Sequence, residues 1–174
     1  MIQSIDRTNI DECVEVIQSS FLTVANEFGL TEQNAPRFTA FAVDSAQLHQ
    51  QFDEKRPMYA YFDDHQVIGY YSLQLQDDGD CELKNLCVLP KYRHKKIGEK
   101  LFVHATSIAR QNKCKAMNIG IVEENVRLKK WYEKLGANHM GTKKFDFLPF
   151  TCGYMKLDLS TGDCHKDSCQ EGVS

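Results

Sequence analysis

The segment Val88-Leu89-Pro90-Lys91-Tyr92-Arg93-His94-Lys95-Lys96-Ile97-Gly98-Glu99-Lys100-Leu101 carries the side chains best suited to holding an anion. A strand pattern stops at Pro90, which cannot donate to a sheet ladder, and a helical pattern starts near Lys96. The first amides of a helix have no partner inside it, and its dipole puts partial positive charge at that end. Together these make a phosphate site. Lys91, Arg93, Lys95, Lys96 and Lys100 add charge, and Gly98 lets a bulky ligand approach the backbone. The same stretch can also be read as a solvated basic turn before a core helix. A second pair is Asn125 and Tyr132, about two helical turns apart and so on one face. By residue type alone, Asn125 is also an ordinary helix cap and Tyr132 a core aromatic between Leu128 and Leu135.

Other chemistry is thinly provided for. The seven cysteines are an odd number, scattered, and form no CxxC pair. With no basic and apolar leader at Met1-Ile2-Gln3-Ser4-Ile5-Asp6, that count points to reduced thiols and a cytoplasmic location. Cys164, His165 and Cys169 offer fewer ligands than a structural zinc site uses, so no metal is expected. Residues 161–174 read as a polar, flexible tail after a single domain over residues 1–160. A net charge of −3 gives no global case for nucleic acid, and no apolar run approaches the roughly 20 residues of a membrane span.

The elements that must position these residues follow from periodicity. Ile2 to Ile5 suits a short strand. Ile10, Val14, Ile17 and Phe21 predict a first helix of about three turns, capped by Thr8, with a second helical piece over Phe21 to Phe28. Asp44 caps a short helix to Phe52. Met58 to Phe62 and Val67 to Leu75 predict an antiparallel hairpin, and Glu82 to Leu89 the next strand. A helix from near Lys96, a strand over Ala116 to Val122 and a helix over Asn125 to Leu135 with Gly136 at its end come next. Strands at Asn138 to Phe145 and Thr151 to Leu159 close the domain. The expected architecture is α/β: a central mixed, mostly antiparallel sheet of about seven strands flanked by helices, with one parallel βαβ crossover.

At the basic segment the chain resembles the GNAT acetyltransferases. Their signature is Gln or Arg, two residues, Gly, one residue, then Gly or Ala. Arg93 fills the first place and Gly98 the last, after a lead-in of Val88, Leu89, Pro90, Lys91 and Tyr92. Ile97 and Leu101 match apolar positions. Lys96 stands where the family has its first Gly. Either that position needs an unusual backbone angle, and Lys is a penalty, or it needs only an amide and room, and Lys serves and adds a phosphate contact. The second alternative is preferred. Asn125 to Ala137 resembles the family segment in which Asn starts a helix and an aromatic-Tyr-Glu-Lys-Leu-Gly run ends it, with Ala137 where Phe is common. The resemblance covers Glu82 to Gly136 and continues more weakly through Leu159.

This resemblance implies acetyl-coenzyme A as cosubstrate and an amine as acceptor. The amides of Arg93, His94, Lys95, Lys96, Ile97 and Gly98 would hold the pyrophosphate. The backbone of Leu86, Cys87 and Val88 would pair with the pantetheine arm, and a strand amide would stabilise the oxyanion. Asn125 would contact the cofactor, and the Tyr132 hydroxyl would protonate the departing thiolate. An amine of reference pKa near 10.4 costs about 4–5 kcal/mol to neutralise at pH 7, so a carboxylate base is needed. Glu82, nominally on one face with Leu86 and Val88, is the first choice; Asp80 and Glu123 are the others. Cys87 reads as a small core residue rather than an acyl relay. The acceptor, a small-molecule or peptide amine, would meet Val24 to Thr31 and Phe145 to Phe150, where Glu27, Asp146 and Asp44 could attract a cation. A longer acyl-coenzyme A as donor and a non-catalytic acyl-coenzyme A sensor are the alternatives. An exposed last strand would suit a homodimer.

Overall fold

The computed structural model describes residues 1–160. The expectations for the tail, with Cys164, His165 and Cys169, lie outside the described residues. Seven strands form one sheet: β1 (Ile2–Ser4), β2 (Met58–Asp63), β3 (Gln66–Leu75), β4 (Cys81–Val88), β5 (Ala116–Val122), β6 (Asn138–Lys144) and β7 (Thr151–Asp158). Their order is β1-β2-β3-β4-β5-β7-β6. Only β4 and β5 are parallel neighbours, over Cys81–Leu83 against Met117–Ile119. The expected mixed sheet with one parallel crossover is therefore present. The last strand is not an edge, however: β7 lies between β5 and β6, so an edge-to-edge dimer would have to use β6 or β1.

The helices are α1 (Ile10–Glu27), α2 (Thr39–Ala42), α3 (Ser45–Asp53), α4 (Ile97–Gln111) and α5 (Val126–Lys134). Instead of two helical pieces, α1 is continuous for 18 residues, because its inward stripe of Ile10, Cys13, Val14, Ile17, Ser20, Phe21, Val24 and Ala25, buried or half-buried, keeps helical spacing. The first cap is Asp6 rather than Thr8. Its carboxylate accepts from the Thr8 amide at 2.7 Å, opening a short 3-10 turn ahead of α1. Asp44 caps α3 as expected, accepting from the Gln47 amide at 2.8 Å.

One core lies between the sheet and α4 with α5. Leu101, Phe102, Ala105 and Ala109 pack there on Tyr71, Leu73, Leu83 and Met117, each larger side chain contributing about 1.5–3 kcal/mol. α4 lies this close because Gly69 has no side chain: a Cβ there would meet Leu101 Cδ1 at 2.9 Å. A second core lies on the opposite face, between α1 with α3 and β2–β4, and includes Tyr70, Val67 and Cys87.

Within β4 the pairing with β3 slips. Ser72 faces Lys84, but Tyr70 faces Cys87, so β4 holds one residue more than its partner over this step. Asn85 absorbs the extra residue at φ 55°, a bulge. Bulging reverses the alternation of side chains. Cys81 and Leu83 share the α4 face with Val88 and Leu86, while Cys87 joins the α1 core.

Candidate functional site: a splayed strand pair and an open helix terminus

After Leu83 and Ile119 the parallel strands stop pairing, and the gap opens at the C-terminal end of β4. The Leu89 amide donates to Ile68 O on the β3 side at 2.9 Å. By alternation Cys87 also turns its backbone to β3, whereas Leu86 and Val88 turn theirs into the gap.

The basic loop follows directly. Pro90–Tyr92 forms a 3-10 turn, and the Arg93 amide closes it by donating to Pro90 O at 3.3 Å. That amide is therefore engaged, a correction to the expected set. The next six behave differently: among the described residues, no protein acceptor meets the amides of residues 94–99, and the first helical bond runs from Lys100 to Lys96 O at 3.0 Å. His94 and Lys96 have positive φ, 63° and 59°, with Lys95 between them at negative φ. Such alternation turns successive amides toward one point and forms an anion nest. Lys96 thus occupies a left-handed position. The alternative that only an amide and room are needed there is overturned, and the penalty is real, about 1–2 kcal/mol for a residue with a Cβ.

Arg93 fixes this loop through its side chain. Nε donates to Val88 O at 3.1 Å and Nη2 to Ser20 O at 3.0 Å, tying β4 to α1. Burial draws its pKa down, offset in part by the nearby Glu27 carboxylate, and no carboxylate lies within ion-pair distance of it among the described residues. Lys95 points away from the gap, over the Tyr92 ring at 5.4 Å.

Asn125 caps α5, its Oδ1 accepting from the Leu128 amide at 3.2 Å. Tyr132 is 5 % exposed and packs against Trp131 and Phe102, with ring centroids 4.9 and 5.7 Å away. Burial pushes its phenol well above the ordinary value, so it stays protonated. These groups meet around one cavity of about 560 Å³. Ser20, Phe21, Thr23, Val24 and Glu27 of α1 form one wall. Leu86, Cys87 and Val88 form the floor, and Arg93, His94, Lys96, Ile97, Gly98 and Glu99 the loop and helix end. Asn125, Arg127, Leu128, Trp131 and Tyr132 supply the opposite wall.

The family model for the acetyltransferase (GNAT) family matches residues 24–137, most of the chain. The chain belongs to the GNAT family. No curated protein sequence matches it. Among solved structures it is similar to the PaiA N-acetyltransferase of Thermoplasma acidophilum in complex with coenzyme A. That likeness has TM-score 0.78 and 18 % identity over 91 % of this chain and 98 % of that one. It is also similar to the ribosomal-protein-S18-alanine N-acetyltransferase of Escherichia coli, at TM-score 0.73 and 15 % identity over 95 % and 97 % of the two chains. YncA of Salmonella typhimurium, with its cofactor acetyl-CoA, gives TM-score 0.70 and 19 % identity over 97 % and 98 %. At these identities the likeness is one of fold.

In this GNAT chain nine of the ten residues expected to bind cofactor line the one cavity, together with Tyr132; Lys95 does not. Glu82 also stands apart. The bulge puts it on the Cys87 face, opposite Leu86 and Val88, so the expected shared face is wrong. Its carboxylate pairs with Lys84 at 2.8 Å. The other carboxylates considered are occupied as well: Asp80 by Lys156 at 2.9 Å, and Glu123 by Lys129 at 2.6 Å and His139 at 2.9 Å. Sequence reasoning missed Ser20, Phe21, Thr23, Glu99, Arg127, Leu128 and Trp131. Leu128 and Trp131 carry a readable signal, since they share the helix face of Asn125 and Tyr132. The α1 wall depends on a tertiary contact that no local pattern encodes. Among the described residues, no group of three or more His, Cys, Asp or Glu could hold a metal. No helix there is long and apolar enough to cross a membrane.

Proposed function

We propose that the protein transfers an acetyl group from acetyl-coenzyme A to a primary amine by direct attack in a ternary complex. The carrying observation is the run of unpartnered amides at residues 94–99 beside a strand gap that ends at Tyr132. A diphosphate fits the first, where nest, helix dipole and cations coincide. An extended amide-bearing arm fits the second, because Leu86 and Val88 can pair with it as a missing strand would. The thioester then lies near Tyr132. The amine nitrogen bonds to the carbonyl carbon, the C–S bond breaks, and the Tyr132 proton passes to the thiolate. The Leu86 or Val88 amide stabilises the oxyanion. Glu82, on the α1 face and outside the cavity lining, receives the amine's proton through water, and a proton returns to Tyr132 through solvent as the products leave. Burial pushes the Cys87 thiol up to about 12, too high for a thiolate relay at neutral pH, which favours direct transfer.

The test has two arms. Titration calorimetry with coenzyme A should show binding, and thiol release from acetyl-coenzyme A over a panel of primary amines should show turnover. Absence of coenzyme A binding would overturn the whole proposal. Binding with no thiol release from any amine would leave a sensor in place of an enzyme.

A further inference from the structure

The charges lining the cavity are not evenly spread. Arg93, His94 and Lys96 cluster at the loop before α4, with Arg127 on α5. Among the described residues the cavity has two carboxylates, Glu99 in the first turn of α4 and Glu27 on the opposite wall. Glu27 is the last residue of α1, whose final turn carries no basic side chain. The helix dipole adds negative potential at that end. Glu27 therefore faces the cavity at a place of negative potential, offset in part by the fixed Arg93 guanidinium nearby.

That place is held by Arg127, whose Nη2 lies 2.7 Å from Glu27 Oε1 across the cavity mouth. The guanidinium side is 82 % exposed and the carboxylate side 45 %. So exposed a pair adds little to the fold, and Arg127 is free to swing toward another anion. Resting on the coenzyme A reading above, we propose that Glu27 is the acceptor-recognition carboxylate and that the acceptor is a small alkylamine bearing no carboxylate of its own. The polyanionic cofactor draws Arg127 off, and the incoming ammonium takes its place on Glu27. An acceptor with a carboxylate beside its amine is repelled by Glu27 and by the end of α1.

L-alanine methyl ester and L-alanine differ in that carboxylate and serve as the probe pair. Each is titrated into the coenzyme A complex by calorimetry and offered as acceptor in thiol release. The wild type should favour the ester by about tenfold or more, the size expected for a charge-assisted hydrogen bond. Glu27→Gln should bring the ratio near unity while coenzyme A affinity holds or tightens, and Glu27→Lys should invert it. Glu133→Gln, at an exposed position of α5 outside the cavity, should keep the wild-type ratio, which separates Glu27 from a general charge effect. A Glu27→Gln protein that binds coenzyme A and keeps the full preference would overturn the inference, as would a wild type that binds both probes equally. Failure of the wild type to bind coenzyme A would instead sink the function proposed above.

Discussion

The two halves of β4 have the same strand geometry and opposite fates. Before Asn85, Cys81, Glu82 and Leu83 are paired on both sides, with Leu75, Gln74 and Leu73 of β3 and with Met117, Asn118 and Ile119 of β5. After it, Cys87 and Val88 keep β3 but have lost β5. Unpaired backbone groups in an interior are costly, and here they persist in the middle of a seven-stranded sheet. One is covered: Val88 O accepts from Arg93 Nε. The first half is scaffold, and the second is a half-made ladder, the edge that the proposed pantetheine arm would fill. The bulge separates them, and it also decides which side chains accompany the open edge.

The sharpest way to break this comparison is to block the end of the open half. A Cβ at Gly98 would sit 3.5 Å from the Trp131 ring, ordinary contact, so Gly98→Ala should bind coenzyme A nearly as well as wild type. Gly98→Glu places bulk and like charge where the phosphates belong and should weaken binding by at least about a thousandfold. Calorimetry decides, and retained binding in Gly98→Glu would mean the loop holds no phosphate. Next in size is Tyr132→Phe. Its phenol stays protonated because burial raises its pKa, so it donates rather than accepts across neutral and mildly alkaline pH. Loss of that proton should lower kcat by about 10³-fold with little change in cofactor Kd. Equal turnover would remove Tyr132 from the chemistry.

Glu82 tests the closed half. If it takes the amine's proton through water, Glu82→Gln should lower the rate by about 10²-fold, most strongly below the amine's pKa, where the proton must still be removed. The deficit should shrink as pH rises and free amine becomes abundant. A pH–rate profile parallel to wild type would clear Glu82 of that duty.

Much of this was legible in the sequence because the decisive features are local. The helical period of Ile97, Leu101, Ala105, Ile108 and Ala109 gave α4, and the strand before Pro90 placed an open helix end after β4. Asn125 and Tyr132 fall on one helix face by spacing alone. The bulge was not legible. Asn85 is a residue type that tolerates positive φ, but it lies inside a stretch read as one strand, and the extra residue shows only against Tyr71 on β3, through a pairing that period-two reasoning takes as regular. One slipped residue was enough to put Glu82 on the wrong face. The α1 wall was hidden for a similar reason. Ser20 and Phe21 reach the cavity because α1 packs across β3 and β4 and Arg93, 73 positions after Ser20, bonds to Ser20 O.

The smallest effect expected is at Lys96, and it separates two properties of the open half, backbone shape and charge. At φ 59° and ψ 16° a lysine bears a steric penalty that glycine avoids, partly offset by glycine's greater entropy loss on folding. Lys96→Gly should therefore stabilise the protein by about 0.5–1 kcal/mol, a rise in Tm of about 1–4 °C. Its ammonium is exposed, so losing it should weaken coenzyme A by no more than about fivefold, the scale of a solvent-screened ion pair. Lys96→Ala keeps the Cβ and loses the charge: it should weaken coenzyme A as much as Lys96→Gly does and gain no stability. Thermal unfolding and calorimetry on the two variants thus read shape and charge apart. If Lys96→Ala were as stable as Lys96→Gly, the left-handed turn would not be what that residue strains against.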